Sequence, residues 1–293
     1  MATRRTSKTR GLPPAALLLV LWALCLPLPA GSEGDDEAML PPGAAPAPGP
    51  DSAQLARLRS RGLPFGPGEN LQFAVTYGPI RAGTATLEVR PMRQYKDRLC
   101  YHFVSQARSA PVFDSIYKVR DRIDALVDGE DFFTWQYRKV QREGGYNADY
   151  EILYVPQESK ARYADGRTFD IPANALDALG AFYFTRLQPL RQDSVFYIPH
   201  HSDKRSFYLR VDVLRREEIE VPAGRFDCWV LDPSVKEAGP FKHQGRLTVW
   251  VTADERRLPV LLKSSVGVGS VAVALERMTM GGTVPAAGSA AGS

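Results

Sequence analysis

Two long parts of the chain, residues 69–165 and 193–278, alternate between apolar and polar positions. In residues 71–77, for example, every second side chain is large and apolar, which is the pattern of a strand with one buried face. Similar short segments follow one another through both parts, and turns such as Gly144-Gly145 separate them. The pattern therefore predicts an antiparallel sheet of roughly ten or more strands rather than alternating β-α-β units.

Between these two parts lies a segment with a helical pattern, residues 174–189. Prolines stand at positions 172 and 189, and proline suits a helix start and blocks its continuation. A lone helix has no second helix to cover it, so its apolar face must lie on the sheet. We therefore predict a mainly β fold, a curved, half-barrel-like antiparallel sheet packed around one amphipathic helix. The apolar side chains of this helix are Leu176, Leu179, Phe182, Tyr183 and Leu187.

Residues 1–30 have the composition of a secretory signal peptide. Four basic residues and no acidic residue occupy the first ten positions, and an apolar run and small residues follow. An uncleaved membrane anchor is the alternative, but a span needs about 20 predominantly apolar residues. Residues 12–30 supply only nineteen positions, and four of them are prolines. We therefore expect export to the periplasm or the medium, with cleavage near Ala30.

The rest of the chain divides by composition. Residues 31–66 contain a Pro/Ala/Gly-rich run and predict an extended linker. Residues 67–280 carry the strand and helix patterns and predict a single β-rich domain. Residues 281–293 are rich in glycine and alanine, and we expect them to form a disordered tail.

Cleavage of the leader changes the charge balance. The whole chain has 37 Lys and Arg against 33 Asp and Glu, and four of the basic residues lie in the leader. The remaining chain thus has 33 of each and is formally neutral. Because nucleic-acid-binding proteins carry a basic surface, we expect no nucleic-acid partner.

Sequence signatures of catalysis and of cofactor binding are absent. The chain contains no G-x-S-x-G, no G-x-x-x-x-G-K-[ST] and no H-E-x-x-H motif. His200, His201 and Asp203 form the densest group of potential metal ligands, but adjacent strand residues point to opposite faces. A solvated loop is the favoured interpretation of that group. We predict no cofactor, no metal site and no catalytic residue.

Two carboxylate pairs support an alternative, enzymatic hypothesis. Asp121 with Asp124, and Asp254 with Glu255, could supply an acid and a base. One pair lies along a predicted strand and the other in a polar turn, where charged side chains ordinarily face solvent. The alternative function is a hydrolase that acts on a cell-envelope polymer through such a pair.

Cys100 and Cys228 are the cysteines that remain after leader cleavage. An oxidising compartment favours a disulfide between them, which would join the two halves of the sheet. Two separate buried thiols are the alternative, because a disulfide requires Cα atoms within about 7 Å.

Several sequence segments of the predicted domain resemble those of a known family. They include residues 68–89, GENLQFAVTYGPIRAGTATLEV, and residues 216–233, REEIEVPAGRFDCWVLDP. Residues 247–275 are the most specific, since a tryptophan strand leads through an acidic turn and Arg-Arg-Leu-Pro into a Gly-Ser strand. On the basis of these segments, residues 66–278 resemble the exported bacterial family of domain of unknown function 3108 (DUF3108). The resemblance implies export and a β-rich domain, and it supplies no activity, cofactor or catalytic residue. In architecture alone, the chain is also similar to periplasmic lipoprotein carriers, whose curved sheet wraps around helices.

The aromatic residues suggest where a ligand would bind. We expect a groove between the helix and the concave face of the sheet, lined by Phe182, Tyr183, Tyr150, Ile152 and Trp250. Such a groove suits an acyl chain or an apolar peptide segment, because burial of carbon provides the affinity. The other interpretation is that these side chains simply fill the core. The preferred function is thus a non-catalytic binding or carrier role in the cell envelope, with no transmembrane span after cleavage.

Overall fold

The computed structural model describes residues 62–234, 247–266 and 269–281. The predicted leader, most of the predicted linker and nearly all of the predicted tail lie outside these residues. The strands before the main helix are β1 Asn70–Tyr77, β2 Ile80–Tyr95, β3 Arg98–Ser109, β4 Arg120–Asp128, β5 Thr134–Glu143, β6 Tyr146–Val155, β7 Lys160–Tyr163 and β8 Thr168–Asp170. Those after it are β9 Val195–Ser202, β10 Arg205–Val221, β11 Gly224–Ser234, β12 Leu247–Thr252, β13 Pro259–Val266 and β14 Gly269–Thr279. The helices are α1 Pro111–Asp114, a single turn, and α2 Ala178–Leu187, and a 3-10 turn spans Pro156–Glu158.

All fourteen strands belong to one antiparallel sheet. Its order is β8-β7-β6-β5-β4-β3-β2-β1-β14-β13-β12-β11-β10-β9, so the first and last strands pair with each other near its centre. The predicted alternation is visible in β1, where Leu71 and Phe73 are buried and Gln72 is exposed. The prediction of a mainly β fold, with a curved antiparallel sheet around one amphipathic helix, is confirmed.

The two edge strands, β8 and β9, approach each other without forming a ladder. Side chains join the two ends of the sheet instead. The Tyr154 hydroxyl donates to the His201 carbonyl at 2.7 Å, and the Tyr163 hydroxyl lies 2.9 Å from Nε2 of His201. The backbone N–H of Lys204 donates to the Tyr163 hydroxyl at 2.7 Å. The sheet is therefore strongly curved but not closed into a barrel, and its inner face surrounds α2.

Helix α2 begins four residues later than the sequence pattern predicted. The carboxylate of Asp177 accepts hydrogen bonds from the backbone N–H groups of Leu179 and Gly180, at 2.7 and 3.2 Å, and thereby caps the first turn. Leu176 precedes the helix and pairs with β9, because its N–H donates to the Pro199 carbonyl at 2.9 Å. Leu176 is nevertheless buried, as the helical pattern predicted.

An ion pair inside the sheet holds the end of α2. The guanidinium of Arg186 donates to both carboxylate oxygens of Glu69, at 2.6 and 2.9 Å, and both side chains are almost fully buried. It also donates to the carbonyls of Pro64 and Arg256, at 2.7 and 3.1 Å. These partners satisfy most of the guanidinium, as a buried charge requires. The contacts tie the helix to the chain before β1 and to the turn between β12 and β13.

The folded region extends into the segment that we predicted to be linker. Phe65 is 4% exposed, and its ring lies 5.0 Å from that of Tyr183 on α2. Leu63 also packs against the core. Aromatic contact with the helix therefore orders residues that the composition assigned to an extended linker.

Two smaller apolar clusters lie outside the main core, and each contains one cysteine. Cys228 packs with Trp250 and its neighbours, and Cys100 packs with Phe133 and Trp135. Both thiols are free in this structure. Burial is the largest cause that raises the pKa of each thiol to about 12, so both are protonated at neutral pH.

Candidate functional site

An apolar groove lies between α2 and the inner face of strands β9 to β13. The space between atoms in the groove and at its mouth is about 770 Å³, which includes open solvent. Its lining residues come from the helix and five strands, and they are Ala178, Ala181, Phe182, Thr185, Arg186, His200, Phe207, Leu209, Val211, Leu231, Pro233, Leu247, Val249, Val251 and Leu262. Most of these side chains are aliphatic or aromatic, which is the usual character of a ligand site.

The sequence of α2 explains why space remains on this side. Toward the groove the helix presents small side chains at helical spacing, Ala178, Ala181 and Thr185. Toward β3 and β4 it presents Tyr183, whose ring stacks on Phe103 with centroids 3.8 Å apart. Aromatic rings thus fill one side of the interior, whereas on the other side the small side chains leave space beside the ring of Phe182.

Few polar atoms line the groove, and some of them already form hydrogen bonds within the protein. The Thr185 hydroxyl donates to the Ala181 carbonyl at 3.0 Å. Arg186 is held by Glu69, although its Nε makes no hydrogen bond within the described residues. His200 is 7% exposed, and its Nε2 lies 3.1 Å from the Ser202 hydroxyl.

His200 is neutral at physiological pH. Burial lowers its pKa to about 4, and the nearby carbonyl of Leu176 opposes only part of that shift. Its Nδ1 makes no hydrogen bond to any described residue. The imidazole is thus a buried, uncharged member of the groove lining, and its Nδ1 has almost no accessible surface.

The structure places the five predicted groove residues in several different environments. Phe182 lines the groove and is half-buried. Tyr183 is on the opposite side of the helix, in the packed core, and Ile152 is buried in that same core. Trp250 lies on the outer face of the sheet, because its neighbours in β12 line the groove and successive strand residues alternate. Tyr150 is half-buried, and its hydroxyl contacts the Tyr146 hydroxyl at 2.6 Å.

Sequence reasoning missed the strand residues that form most of the groove wall. Phe207, Leu209 and Val211 alternate along β10 and face the helix. Their alternation predicts a strand with one buried face, but it does not identify the face as a ligand site. The available signal was the spacing of Ala178, Ala181 and Thr185, which indicates a strip of small side chains along the helix.

Neither predicted carboxylate pair forms an acid–base site. Asp121 and Asp124 are three residues apart in β4, so they point to opposite faces of the sheet. Asp124 binds His102 and Arg122, and its pKa is lowered well below its usual value by these hydrogen bonds against the opposing effect of burial. Asp254 forms an ion pair with Arg256 in the turn before β13.

Asp121 instead interacts with Glu143, a residue that sequence reasoning did not single out. Burial, followed by the hydrogen bond and charge of Asp121, raises the pKa of Glu143 to about 7. The Asp121 carboxylate also accepts the N–H of Arg142 at 2.9 Å. Asp121 and Glu143 are 5% and 4% exposed, so a substrate in solution has no direct access to them.

The histidine cluster is divided between two environments. His200 faces the groove, whereas His201 contacts the tyrosines of β6 and β7 that join the sheet ends. Within the described parts of the chain, no group of three or more His, Cys, Asp or Glu side chains is arranged to hold a metal ion.

The family model of a protein of unknown function, DUF3108, matches residues 72–276. The match covers more than half of the chain and nearly all strands of the sheet. This protein belongs to the DUF3108 family. No curated protein matches the chain.

Solved structures of similar shape show the fold alone. A beta-barrel-like protein of domain of unknown function DUF1849 from Brucella abortus is 9% identical, with a TM-score of 0.50, and the match covers 73% of this chain and 98% of that chain. A protein from Bacteroides fragilis with a YmcC-like fold, predicted to be exported, is 13% identical, with a TM-score of 0.36 and coverage of 74% and 98%. A predicted lipoprotein from Parabacteroides distasonis is 10% identical, with a TM-score of 0.36 and coverage of 74% and 99%.

Among the residues that the structure describes, no helix is both long and apolar enough to cross a membrane.

Proposed function

We propose that this DUF3108 protein is an exported, non-catalytic carrier that binds the hydrocarbon part of a lipid in the groove between α2 and strands β9 to β13. The observation that carries the proposal is the shape of the interior. One side of α2 is packed with aromatic rings, and the other side leaves an open, apolar groove. Apolar clefts of this kind gain affinity by removing carbon from water.

The proportions of the groove favour a flexible chain as the ligand. Its walls are formed by branched aliphatic side chains of four adjacent strands, β10 to β13, and by the alanines of α2. An acyl chain adapts to such walls through rotation about its carbon–carbon bonds, and it presents no polar group that would need a partner. An apolar peptide segment would bring backbone N–H and C=O groups, and the groove offers few polar atoms to pair with them.

Export is supported by the leader-like composition of residues 1–30. An exported protein with an apolar groove could carry a lipid through the aqueous part of the cell envelope while shielding its hydrocarbon chain from water. The alternative of a hydrolase is less well supported, because the interacting carboxylates Asp121 and Glu143 are both buried.

The proposal is tested by filling the groove. Ala181→Phe places a ring in space that α2 leaves open, so the binding of an environment-sensitive apolar dye should weaken about tenfold or more. Ala274→Phe is the matched control, because Ala274 packs against the cluster of Trp250 on the outer face. The control should bind the dye like the unmodified protein.

Two further results bear on the proposal. Lipid extraction and mass spectrometry of protein purified from its native envelope should release acyl lipids, and the Ala181→Phe variant should release less. A folded protein that binds no apolar dye and carries no lipid would refute the carrier function. Equal dye binding by Ala181→Phe and Ala274→Phe would place the bound dye outside this groove and would also refute it.

A further inference from the structure

The two ends of the curved sheet differ in how they are covered. Neighbouring strands are antiparallel throughout, so the connections between successive strands alternate between the two ends. Helix α2 covers one end, where Thr134 at the start of β5 bonds Asp177 and Glu69 just before β1 bonds Arg186. We call the opposite end the open end, and its described connections are residues 78–79, 110–119, 144–145 and 203–204.

The groove faces the open end. Deep in the groove, Val211, Leu231 and Val251 are at most 2% exposed. Phe207 near the start of β10 and Leu247 at the start of β12 line the groove closer to the open end, and both are only half-buried. The exposure of the lining thus increases away from α2, so the mouth of the groove lies at the open end.

The open end also carries the most exposed large apolar side chains of the described residues. Ile116 is 78% exposed and Val112 is 71% exposed, and both belong to the connection between β3 and β4. Ile80 and Tyr146, the first residues of β2 and β6, are 52% and 50% exposed. These four side chains form an apolar patch around the end of the sheet.

The connection between β3 and β4 is anchored on both sides. The N–H of Ala110 donates to the Ala82 carbonyl at 2.8 Å, and the Lys118 carbonyl accepts from the N–H of Gly144 at 2.7 Å. Its aliphatic side chains are therefore held in water by a fixed backbone. Large apolar side chains that remain exposed together in this way mark an interaction surface.

Basic residues accompany the apolar patch. Residues 108–120 contain Arg108, Lys118 and Arg120, and Asp114 is their one acidic residue. Arg120 pairs with Asp114 at 2.5 Å. Arg108 and Lys118 are exposed, and neither forms an ion pair with a described residue. Aliphatic side chains beside unpaired cations suit the surface of an anionic bilayer, which accepts carbon at its interface and attracts positive charge.

We infer that the open end docks on an anionic lipid bilayer, with Val112 and Ile116 inserted at the interface and Arg108 and Lys118 against the phosphates. The choice of a lipid surface over a protein partner rests on the proposed carrier function. Because the groove mouth and the apolar patch share one end, docking brings the groove directly onto the bilayer. A hydrocarbon chain then passes between the two with little exposure to water.

Cosedimentation with vesicles tests the docking surface. The protein is prepared without residues 1–30, so that the apolar run of the leader contributes nothing to binding. It should bind vesicles of phosphatidylglycerol and phosphatidylethanolamine at least about tenfold more tightly than vesicles of phosphatidylcholine, and added salt should weaken the binding. Lack of binding to the anionic vesicles would overturn the inference and leave the patch to a protein partner.

The apolar contribution is tested with a pair of double variants. Val112→Ser with Ile116→Ser should lower the affinity for anionic vesicles about tenfold or more. Leu99→Ser with Met280→Ser is the matched control, because these side chains are 48% and 42% exposed at the end that α2 covers. The control should bind vesicles like the unmodified protein. Equal affinities of the two double variants would overturn the assignment of the open end.

The cationic contribution is tested by removing the two unpaired charges. Arg108→Gln with Lys118→Gln should lower the affinity for anionic vesicles about tenfold and should reduce the dependence on salt. Unchanged affinity and salt dependence would overturn the role of these two residues.

Dye binding separates this inference from the function on which it rests. Every substituted side chain lies outside the groove, so all three double variants should bind the apolar dye like the unmodified protein. Dye binding without vesicle binding would refute only the docking surface. Patch-dependent vesicle binding by a protein that binds no dye and carries no lipid would refute the carrier function and leave the docking surface in place.

Discussion

The two sides of α2 show how one helix can both complete a core and leave a cavity. Toward β3 and β4, Tyr183 stacks on Phe103, and Phe184 lies with its ring centroid 6.1 Å from that of Phe132. Toward β10 to β12, the same helix presents alanines to aliphatic strand residues. The sheet is continuous through both sides, and the small side chains of Ala178, Ala181 and Thr185 leave space on the groove side. One face of this ten-residue element thus completes the core, and the other face borders the groove that we propose as the ligand site.

Two phenylalanines of α2 provide the sharpest test of this difference. Phe184 is 1% exposed in the packed core, so Phe184→Ala should lower the free energy of unfolding by about 3–5 kcal/mol. Phe182 is half-buried at the groove, so Phe182→Ala should cost only about 1–2 kcal/mol. Urea denaturation measures both values. Equal losses would mean that the two sides of the helix are packed alike.

The buried ion pair between Arg186 and Glu69 lies at the end of α2, next to both the packed side and the groove. Arg186→Met leaves the Glu69 carboxylate buried without its partner, so we expect a loss of about 3–5 kcal/mol in the free energy of unfolding. The double variant Arg186→Met with Glu69→Leu removes both charges and should recover much of that loss. Chemical denaturation of the single and double variants checks this. A double variant as unstable as the single one would show that the carbonyl contacts of Arg186, rather than its charge pairing, hold the helix end.

The free energy of unfolding should also depend on pH, because Glu143 is buried in the packed half of the sheet. Its pKa is raised from 4.5 to about 7, first by burial and then by Asp121, so the folded state keeps a proton that the unfolded state releases. The free energy of unfolding should therefore fall by roughly 1–3 kcal/mol as the pH rises from about 4.5 to about 7. Thermal melts across this range should show that slope, and Glu143→Gln should reduce it. An unchanged slope in the variant would assign the pH dependence to other groups.

The smallest effect is expected for the two cysteines. They lie on the outer face of the sheet, one in each half. Cys100 and Cys228 are buried in separate clusters, and their raised pKa keeps them protonated. Protein expressed without residues 1–30 should show no reactive thiol while folded and two after denaturation without reductant. Ellman titration measures both. Absence of free thiols after denaturation would indicate a disulfide, and the two clusters would then have to come together.

The fold class can be predicted from the sequence, because the alternation of apolar and polar residues and the turn residues are local patterns. Each of them spans only a few positions and needs no knowledge of distant contacts. Leu71 and Phe73 face the core with Gln72 between them, as the period of two requires. The helix was also predictable, since its apolar residues recur at helical spacing, although its start at Ala178 was not. That start depends on the Asp177 carboxylate and on the pairing of Leu176 with β9, which is a contact between distant segments.

Which apolar residues fill the core and which border a groove depends on contacts between distant segments. Tyr183 and Phe182 are adjacent and similar in size, yet one stacks on Phe103 and the other borders open space. Trp250 follows the same alternation as its neighbours, but the register of β12 places it on the outer face. The pairing of Arg186 with Glu69 joins residues 117 positions apart. Local sequence patterns report periodicity and size, whereas the packing partner of each side chain depends on how the sheet curves around the helix.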